Sequence, residues 1–142
     1  MLRKISALVC AGAIASGMMS GAYAAENAEV YFNGEKQSFT VNAEEIDGTV
    51  FVPIRPVFEL FNYKIEWDGM RKSIRTTTAI GKLTIQIGSV LVSQNDYQAY
   101  VLSAYPRLLD GTTMIPIDFA SAATESSIQF TENNNSIVIN SL

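Results

Sequence analysis

Residues 48–74, GTVFVPIRPVFELFNYKIEWDGMRKSI, decide how this chain is built, because residues 111–137, GTTMIPIDFASAATESSIQFTENNNSI, match them without a gap. The offset is 63 positions throughout. The clearest correspondences are Gly48-Thr49 with Gly111-Thr112, Pro53-Ile54 with Pro116-Ile117, and Trp67 with Phe130. Each copy of an internal repeat is one supersecondary unit, so positions kept in both copies report on the fold rather than on chemistry.

The apolar pattern inside each copy predicts short strands around one short helix. Residues 50–52 form a brief strand that Pro53 stops. The residues Ile54, Val57, Phe58 and Phe61 fall at helical spacing, and Pro56 suits a first helical position. Strict alternation in residues 83–87 indicates a further strand. We therefore expect an α+β fold of two ββαββ-like repeats, with antiparallel sheet packed against short helices.

The ends of the chain predict an exported protein. Arg3 and Lys4 precede an apolar stretch too short to span a bilayer, and Ala22-Tyr23-Ala24 fits the cleavage rule of a secretory signal. We expect residues 1–24 to be a signal peptide. Residues 25–142 then form a single domain of two repeats, about 28–88 and 89–142, that share one core. The mature protein should be secreted or lie at the cell surface, with no transmembrane segment after cleavage.

Composition excludes several classes of function. Without Arg3 and Lys4, eight basic residues remain against fourteen acidic ones, a net charge of −6, which argues against nucleic acid binding. The chain has no histidine, and its one cysteine, Cys10, lies within the predicted signal. The mature chain thus lacks the usual residues for zinc sites and for nucleophile–base pairs. We expect no enzyme activity, no metal and no cofactor.

The repeat resembles a known family. The segments GTVFVPIR (residues 48–55), ELFN (59–62) and IEWD (65–68) look like the N-terminal domain-like family of copper amine oxidases, also called stalk domains in secreted proteins of Gram-positive bacteria. The resemblance covers nearly all of residues 28–142. It implies a non-catalytic exported module, and the copper ligands of the oxidases belong to a different domain. Where the family has a glycine after the helix, this chain has Asn62 and Glu125; the latter disfavours positive φ, so we expect the second helix to end differently.

The candidate ligand-contact residues are three tyrosines and one charged pair. They are Tyr97, Tyr100, Tyr105, Arg55 and Glu59. Tyr97 and Tyr100 are three apart in a predicted strand, so they should point to opposite faces. Arg55 and Glu59 are four apart on the predicted helix, a pair worth ~0.3 kcal/mol if exposed. Trp67 alternates with Ile65 and corresponds to Phe130, so we interpret it as a core residue.

Three functions are compatible with these features. The first is recognition or spacing at the cell surface, with a cell-wall glycan or a surface protein as partner. The second is a protein–protein or inhibitor module that accepts a strand at an exposed edge, for which residues 83–85 are the candidate. The third is a hydrolase using carboxylates, whose candidate pairs are Glu44-Glu45, Glu66 with Asp68, and Asp110 with Asp118. The ligand and the oligomeric state do not follow from the sequence.

Overall fold

The computed structural model describes residues 27–142, so the predicted signal peptide lies outside the described residues. The described part of the chain contains thirteen strands and two helices. The strands are β1 (Asn27–Phe32), β2 (Glu35–Asn42), β3 (Glu44–Ile46), β4 (Thr49–Pro53), β5 (Glu66–Asp68), β6 (Ser73–Thr78), β7 (Gly81–Gln86), β8 (Leu91–Gln94), β9 (Tyr97–Val101), β10 (Arg107–Leu109), β11 (Thr112–Pro116), β12 (Ser126–Thr131) and β13 (Ser136–Ser141). The helices are α1 (Ile54–Glu59) and α2 (Ile117–Thr124).

The predicted α+β class is wrong, because the fold is mostly β and its strands form three separate sheets. The apolar stripe that predicted a helix is real: Ile54, Val57 and Phe58 are buried. However, α1 has only six residues and α2 only eight. Helices of about two turns fill space between sheets and do not form a layer of their own. Pro56 also lies within the first turn of α1, two residues after the first helical position.

A central sheet with strand order β10-β11-β4-β3 relates the two copies. Its middle strands pair antiparallel, with Ile115 opposite Val52 and Met114 opposite Pro53. Ile115 and Val52 are 63 positions apart, so corresponding residues face each other at the centre of the sheet. An approximate two-fold axis passes through this pair. Both side chains belong to the hydrophobic core.

Each of the two outer sheets combines strands from both predicted repeats. The terminal sheet has the order β12-β13-β1-β2, with β1 and β13 parallel. The five-stranded sheet has the order β5-β6-β7-β8-β9, with every pair antiparallel. Strand β7 is inserted where the terminal sheet has direct pairing of β13 with β1. The hydrophobic core draws on both outer sheets and both helices, from Ala28 to Ile139.

Because β7 lies inside its sheet, residues 83–85 are not an exposed edge, and the prediction that they could accept another strand is wrong. Leu83 and Ile85 are fully buried, and β7 pairs on both sides, with β6 and with β8. Period-two alternation identifies a strand but carries no information about its position in the sheet. The edge strands of the five-stranded sheet are β5 and β9.

Tight turns follow the local sequence closely. The predicted hairpin at Asn33-Gly34 is confirmed: both residues have positive φ and join β1 to β2. This backbone matches the twist of paired strands, and Asn and Gly tolerate it best. Across this hairpin Lys36 forms an ion pair of 2.9 Å with Glu29. The hydrogen bond to Glu29 and the charge of its carboxylate raise the pKa of Lys36 above its ordinary value.

Both helices lead into a residue in the left-handed backbone conformation at corresponding positions, although the C-cap residue of α1, Leu60, is itself in the right-handed conformation. Asn62 has φ 64°, as expected for a helix stop, and Tyr63 N–H donates to the Phe58 carbonyl at 3.1 Å. Glu125 also adopts the left-handed conformation, with φ 49° and ψ 51°. The caps of the two helices therefore differ, but the reason expected for this is wrong, because Glu125 adopts the positive φ that it disfavours. The chain reversal that leads from each helix to its following strand imposes this conformation even where the residue disfavours it.

Candidate ligand-binding groove

An open groove of about 1060 Å³ lies where the first copy meets the β10–β11 turn of the second. Its floor is formed by Pro53 and Met114 of the central sheet, which are buried. The start of α1, residues 54–56, and the segment around the β10–β11 turn, residues 108–113, also line the groove. The end of β2 contributes Thr40 and Asn42, and Asn27 lies beside them. The groove thus combines an apolar floor with neutral hydrogen-bonding groups and three charged side chains, Glu44, Arg55 and Asp110.

Trp67 is the main aromatic surface of the groove, and the interpretation of Trp67 as a core residue is wrong. Its side chain is 43% exposed. Strand β5 is a three-residue edge strand that pairs only with β6. Trp67 at its centre therefore has a neighbouring strand on one side only. Asp68 closes the following turn by accepting from Met70 N and Arg71 N at 3.1 and 3.2 Å, which fixes the hairpin that carries the indole.

The Trp67 side chain retains hydrogen-bonding capacity. Its Nε1 lies over the turn, where a Cβ on Gly69 would approach it to 3.4 Å. Within residues 27–142 the indole N–H has no hydrogen-bond partner. An exposed indole offers a broad apolar face for stacking and one N–H donor at its edge. This combination suits ligands with alternating apolar and hydroxyl surfaces.

The charged pair predicted at the first helix forms beside the groove. Arg55 lines the groove and lies 3.8 Å from the carboxylate of Glu59, one helical turn later. Both side chains are more than half exposed, so the pair is a weak constraint on the helix. Arg55 can therefore leave Glu59 and contact a ligand at little energetic cost.

The three predicted tyrosines lie outside the groove and apart from Arg55. Tyr97 is 78% exposed, whereas the ring of Tyr100 packs edge-on against Phe119 at 6.1 Å. The expectation that these two point to opposite faces is wrong. A β-bulge shifts the β8–β9 register, so Tyr97 pairs with Gln94 and Tyr100 with Val92, which lie two apart on one face.

Of the predicted catalytic pairs, Glu66 and Asp68 line a separate open pocket together, but both carboxylates are ion-paired. Glu66 and Asp68 each lie 3.6 Å from an arginine, Arg75 and Arg71 respectively. Asp118 accepts hydrogen bonds from Phe119 N and from Ser103. Of the predicted carboxylates, Glu44 and Asp110 line the groove. In the described part of the chain no cluster of three acidic, histidine or cysteine residues could hold a metal ion.

The residues that sequence reasoning missed lie mostly on the β10–β11 hairpin. Leu108 is exposed and faces the groove beside Asp110 and Thr112. The turn Asp110-Gly111 is readable as a hairpin signal, since both residues have positive φ. What the sequence does not indicate is that this turn of the second copy lies against the helix of the first. That juxtaposition depends on the pairing of β4 with β11.

The chain belongs to the copper amine oxidase N-terminal domain family, whose model matches residues 31–139. This confirms the resemblance drawn from the repeat. The family's domain is a non-catalytic module, and the catalytic part of the oxidases is a separate domain. Neither the search of curated proteins nor that of solved structures gave a match. Among residues 27–142 no helix is long and apolar enough to cross a membrane.

Proposed function

We propose that this protein is a secreted or cell-surface recognition module that binds a cell-wall glycan in the groove beside Trp67. The single observation that carries the proposal is the exposed indole that lines an open groove. A large aromatic side chain normally packs against the core, as Phe130, the residue that corresponds to Trp67, does. Trp67 therefore leaves apolar surface in water that a sugar ring can cover.

The lining of the groove, which is mostly uncharged, supports a glycan rather than an anionic polymer. Asn27, Thr40, Asn42 and Thr112 supply donors and acceptors for hydroxyl groups. The charged residues of the lining, Arg55, Glu44 and Asp110, sum to −1, and the net charge of residues 25–142 is −6. Binding should rest on stacking and hydrogen bonds, so we expect weak dependence on salt.

Co-sedimentation with purified bacterial cell walls tests the proposal. The protein should pellet with the walls at both low and high salt. Trp67→Ala should reduce the bound fraction at least tenfold in apparent affinity. Tyr97→Ala is the matched control, since it removes an exposed aromatic outside the groove and should leave binding within twofold. Absence of binding at either salt, or equal losses in the two variants, would contradict binding in the groove.

A second candidate, protein–protein interaction, is favoured by strand β9. It is an edge strand of the five-stranded sheet, and none of its residues, Tyr97–Val101, is charged. The edge strands β2, β3, β5 and β10 each carry charged residues, which discourage pairing with other chains. The remaining edge strand, β12, is also uncharged, but most of its side chains are buried or half-buried. Tyr97 and Val101 at the ends of β9 are 78% and 74% exposed. An uncharged edge of this kind can accept a partner strand.

The second candidate makes a different experimental prediction. A partner strand on β9 should be blocked by Val101→Lys, which places a charge on the edge without touching the groove. Pull-down from culture supernatant with the unmodified protein should recover a partner that this variant loses, while wall binding stays unchanged. Recovery of the same partner by both proteins would argue against strand addition at β9.

A further inference from the structure

Arg107 is held between two aromatic rings at the start of β10. The carbon of its guanidinium lies 4.5 Å from the centroid of the Tyr105 ring and 5.3 Å from that of Phe51. Phe51 is fully buried on the central sheet, and Tyr105 lies two residues before Arg107, with Pro106 between them. Proline fixes its own φ and restricts the residue before it, so the backbone that positions Tyr105 is stiff.

Arg107 differs from the other arginines of residues 27–142 in having no carboxylate. Arg55, Arg71 and Arg75 each form an ion pair with a glutamate or an aspartate. Arg107 forms none with the described residues, and its Nε is buried without a hydrogen-bond partner. The ring contacts offset only part of the cost of removing this cation from water. An oxyanion at the accessible end of the guanidinium would compensate the rest.

We propose that Arg107 is a binding residue for the carboxylate of an acidic sugar, with Tyr105 as the neighbouring stacking surface. The inference rests on the proposed function, glycan recognition, and adds a second contact point outside the groove. A guanidinium is a planar fork that matches the two oxygens of a carboxylate. Because two rings restrain its plane, less conformational entropy is lost when the carboxylate binds.

The geometry limits how the ligand approaches. Arg107 is only partly buried while its Nε is inaccessible, so the carboxylate meets the terminal nitrogens end-on. Tyr105 is 43% exposed and leaves ring surface beside this end for the apolar face of a sugar. With a net charge of −6 on residues 25–142, long-range attraction of anions is absent. The selectivity for carboxylate over neutral sugar therefore comes from this local contact.

The inference is tested by ¹⁵N NMR of the protein during titration with sodium glucuronate, with glucose plus matched sodium chloride as control. The signal of the Arg107 Nε–H should shift and saturate with glucuronate and stay unchanged with glucose. Arg107→Lys, which keeps the charge and removes the planar fork, should weaken glucuronate binding at least tenfold, followed on backbone amides. Arg75→Lys is the matched control and should change affinity less than twofold.

Three outcomes would overturn the inference. Equal, non-saturating shifts at Arg55, Arg75 and Arg107 would indicate nonspecific ion effects, and unchanged affinity in Arg107→Lys would exclude the residue. Tighter binding of acetyl-dialanine, a peptide carboxylate, would overturn the assignment to a sugar acid. If Arg107→Lys does not fold, Tyr105→Leu keeps the cation and removes one ring, and should still weaken binding severalfold. Wall binding through Trp67 is measured separately, so either proposal can fail while the other stands.

Discussion

Trp67 and Phe130 occupy corresponding positions in the two copies, yet the Trp67 side chain is exposed to solvent and the Phe130 side chain packs against the core. Trp67 pairs with Ile74 across β5–β6, and Phe130 pairs with Ile137 across β12–β13. Strand β12 has six residues where β5 has three. Trp67 is 43% exposed, whereas Phe130 is half-buried and packs against the core. The backbone that both copies share therefore stabilises the fold, whereas surface available for a ligand arises where the side chains of the two copies differ.

The free energy of unfolding should be most sensitive to substitutions in the pair of β4 with β11, which both copies share. Ile115→Ala removes a fully buried side chain next to the approximate two-fold axis, and should lower the free energy of unfolding by about 2–5 kcal/mol, measured by urea denaturation. Val52→Ala is the corresponding change in the first copy and should cost less, since it removes one carbon atom fewer from the core. A loss below about 1 kcal/mol for Ile115→Ala would mean that the axis is not a stability centre.

The second prediction separates the divergent aromatics. Phe130→Ala should cost about 2 kcal/mol of stability, less than a fully buried phenylalanine because the ring is partly exposed, and should leave wall binding intact. Trp67→Ala should cost less stability than Phe130→Ala and lose wall binding at least tenfold. Urea unfolding and wall co-sedimentation on both variants check this. If the two variants behaved alike in both measurements, the divergence would have no functional meaning.

The third prediction concerns the helix ends. Glu125→Gly should stabilise the protein by about 1 kcal/mol, because the left-handed conformation is strained for glutamate and free for glycine. Asn62→Gly should gain less, since asparagine tolerates this conformation. Thermal or urea unfolding of the two variants measures the difference. Equal gains would show that residue type does not distinguish the two helix ends.

The smallest effect belongs to a pair that only the first copy has. Removing the Arg55–Glu59 interaction in a double-mutant cycle with glutamine at both positions should reveal a coupling of ~0.3 kcal/mol or less, because both side chains are largely exposed. The second copy has Asp118 and Ala122 at these positions. A coupling above about 1 kcal/mol would assign the pair a structural role and leave Arg55 less available to a ligand.

Local structure could be predicted from the sequence where local chemistry decides it. Asn33-Gly34 specifies its hairpin, Asn62 adopts the left-handed conformation in the turn that follows α1, and alternation identifies β7 as a strand. The partners of the strands could not be predicted, since the β1–β13 pair joins residues more than one hundred positions apart and periodicity is blind to such contacts. The same limit explains the site. Exposure of Trp67 depends on the length of β5 and on what covers it, and the meeting of α1 with residues 108–113 depends on the pairing of β4 with β11. The division into repeats of about 28–88 and 89–142, the signal peptide and the secreted location stay predictions.

The parallel pairing of β1 with β13 has a mechanical consequence. Val30 pairs with Ile137 and Phe32 with Ile139, and both strands run in the same direction. A pull on the two ends of the described chain therefore drags these neighbours past each other lengthwise. All hydrogen bonds between β1 and β13 are then loaded at the same time, instead of breaking one after another as in a hairpin pulled open from its end. A module anchored at one end and pulled at the other would resist stretching through the β1–β13 pair. In an optical trap, rupture of this pair should set the unfolding force.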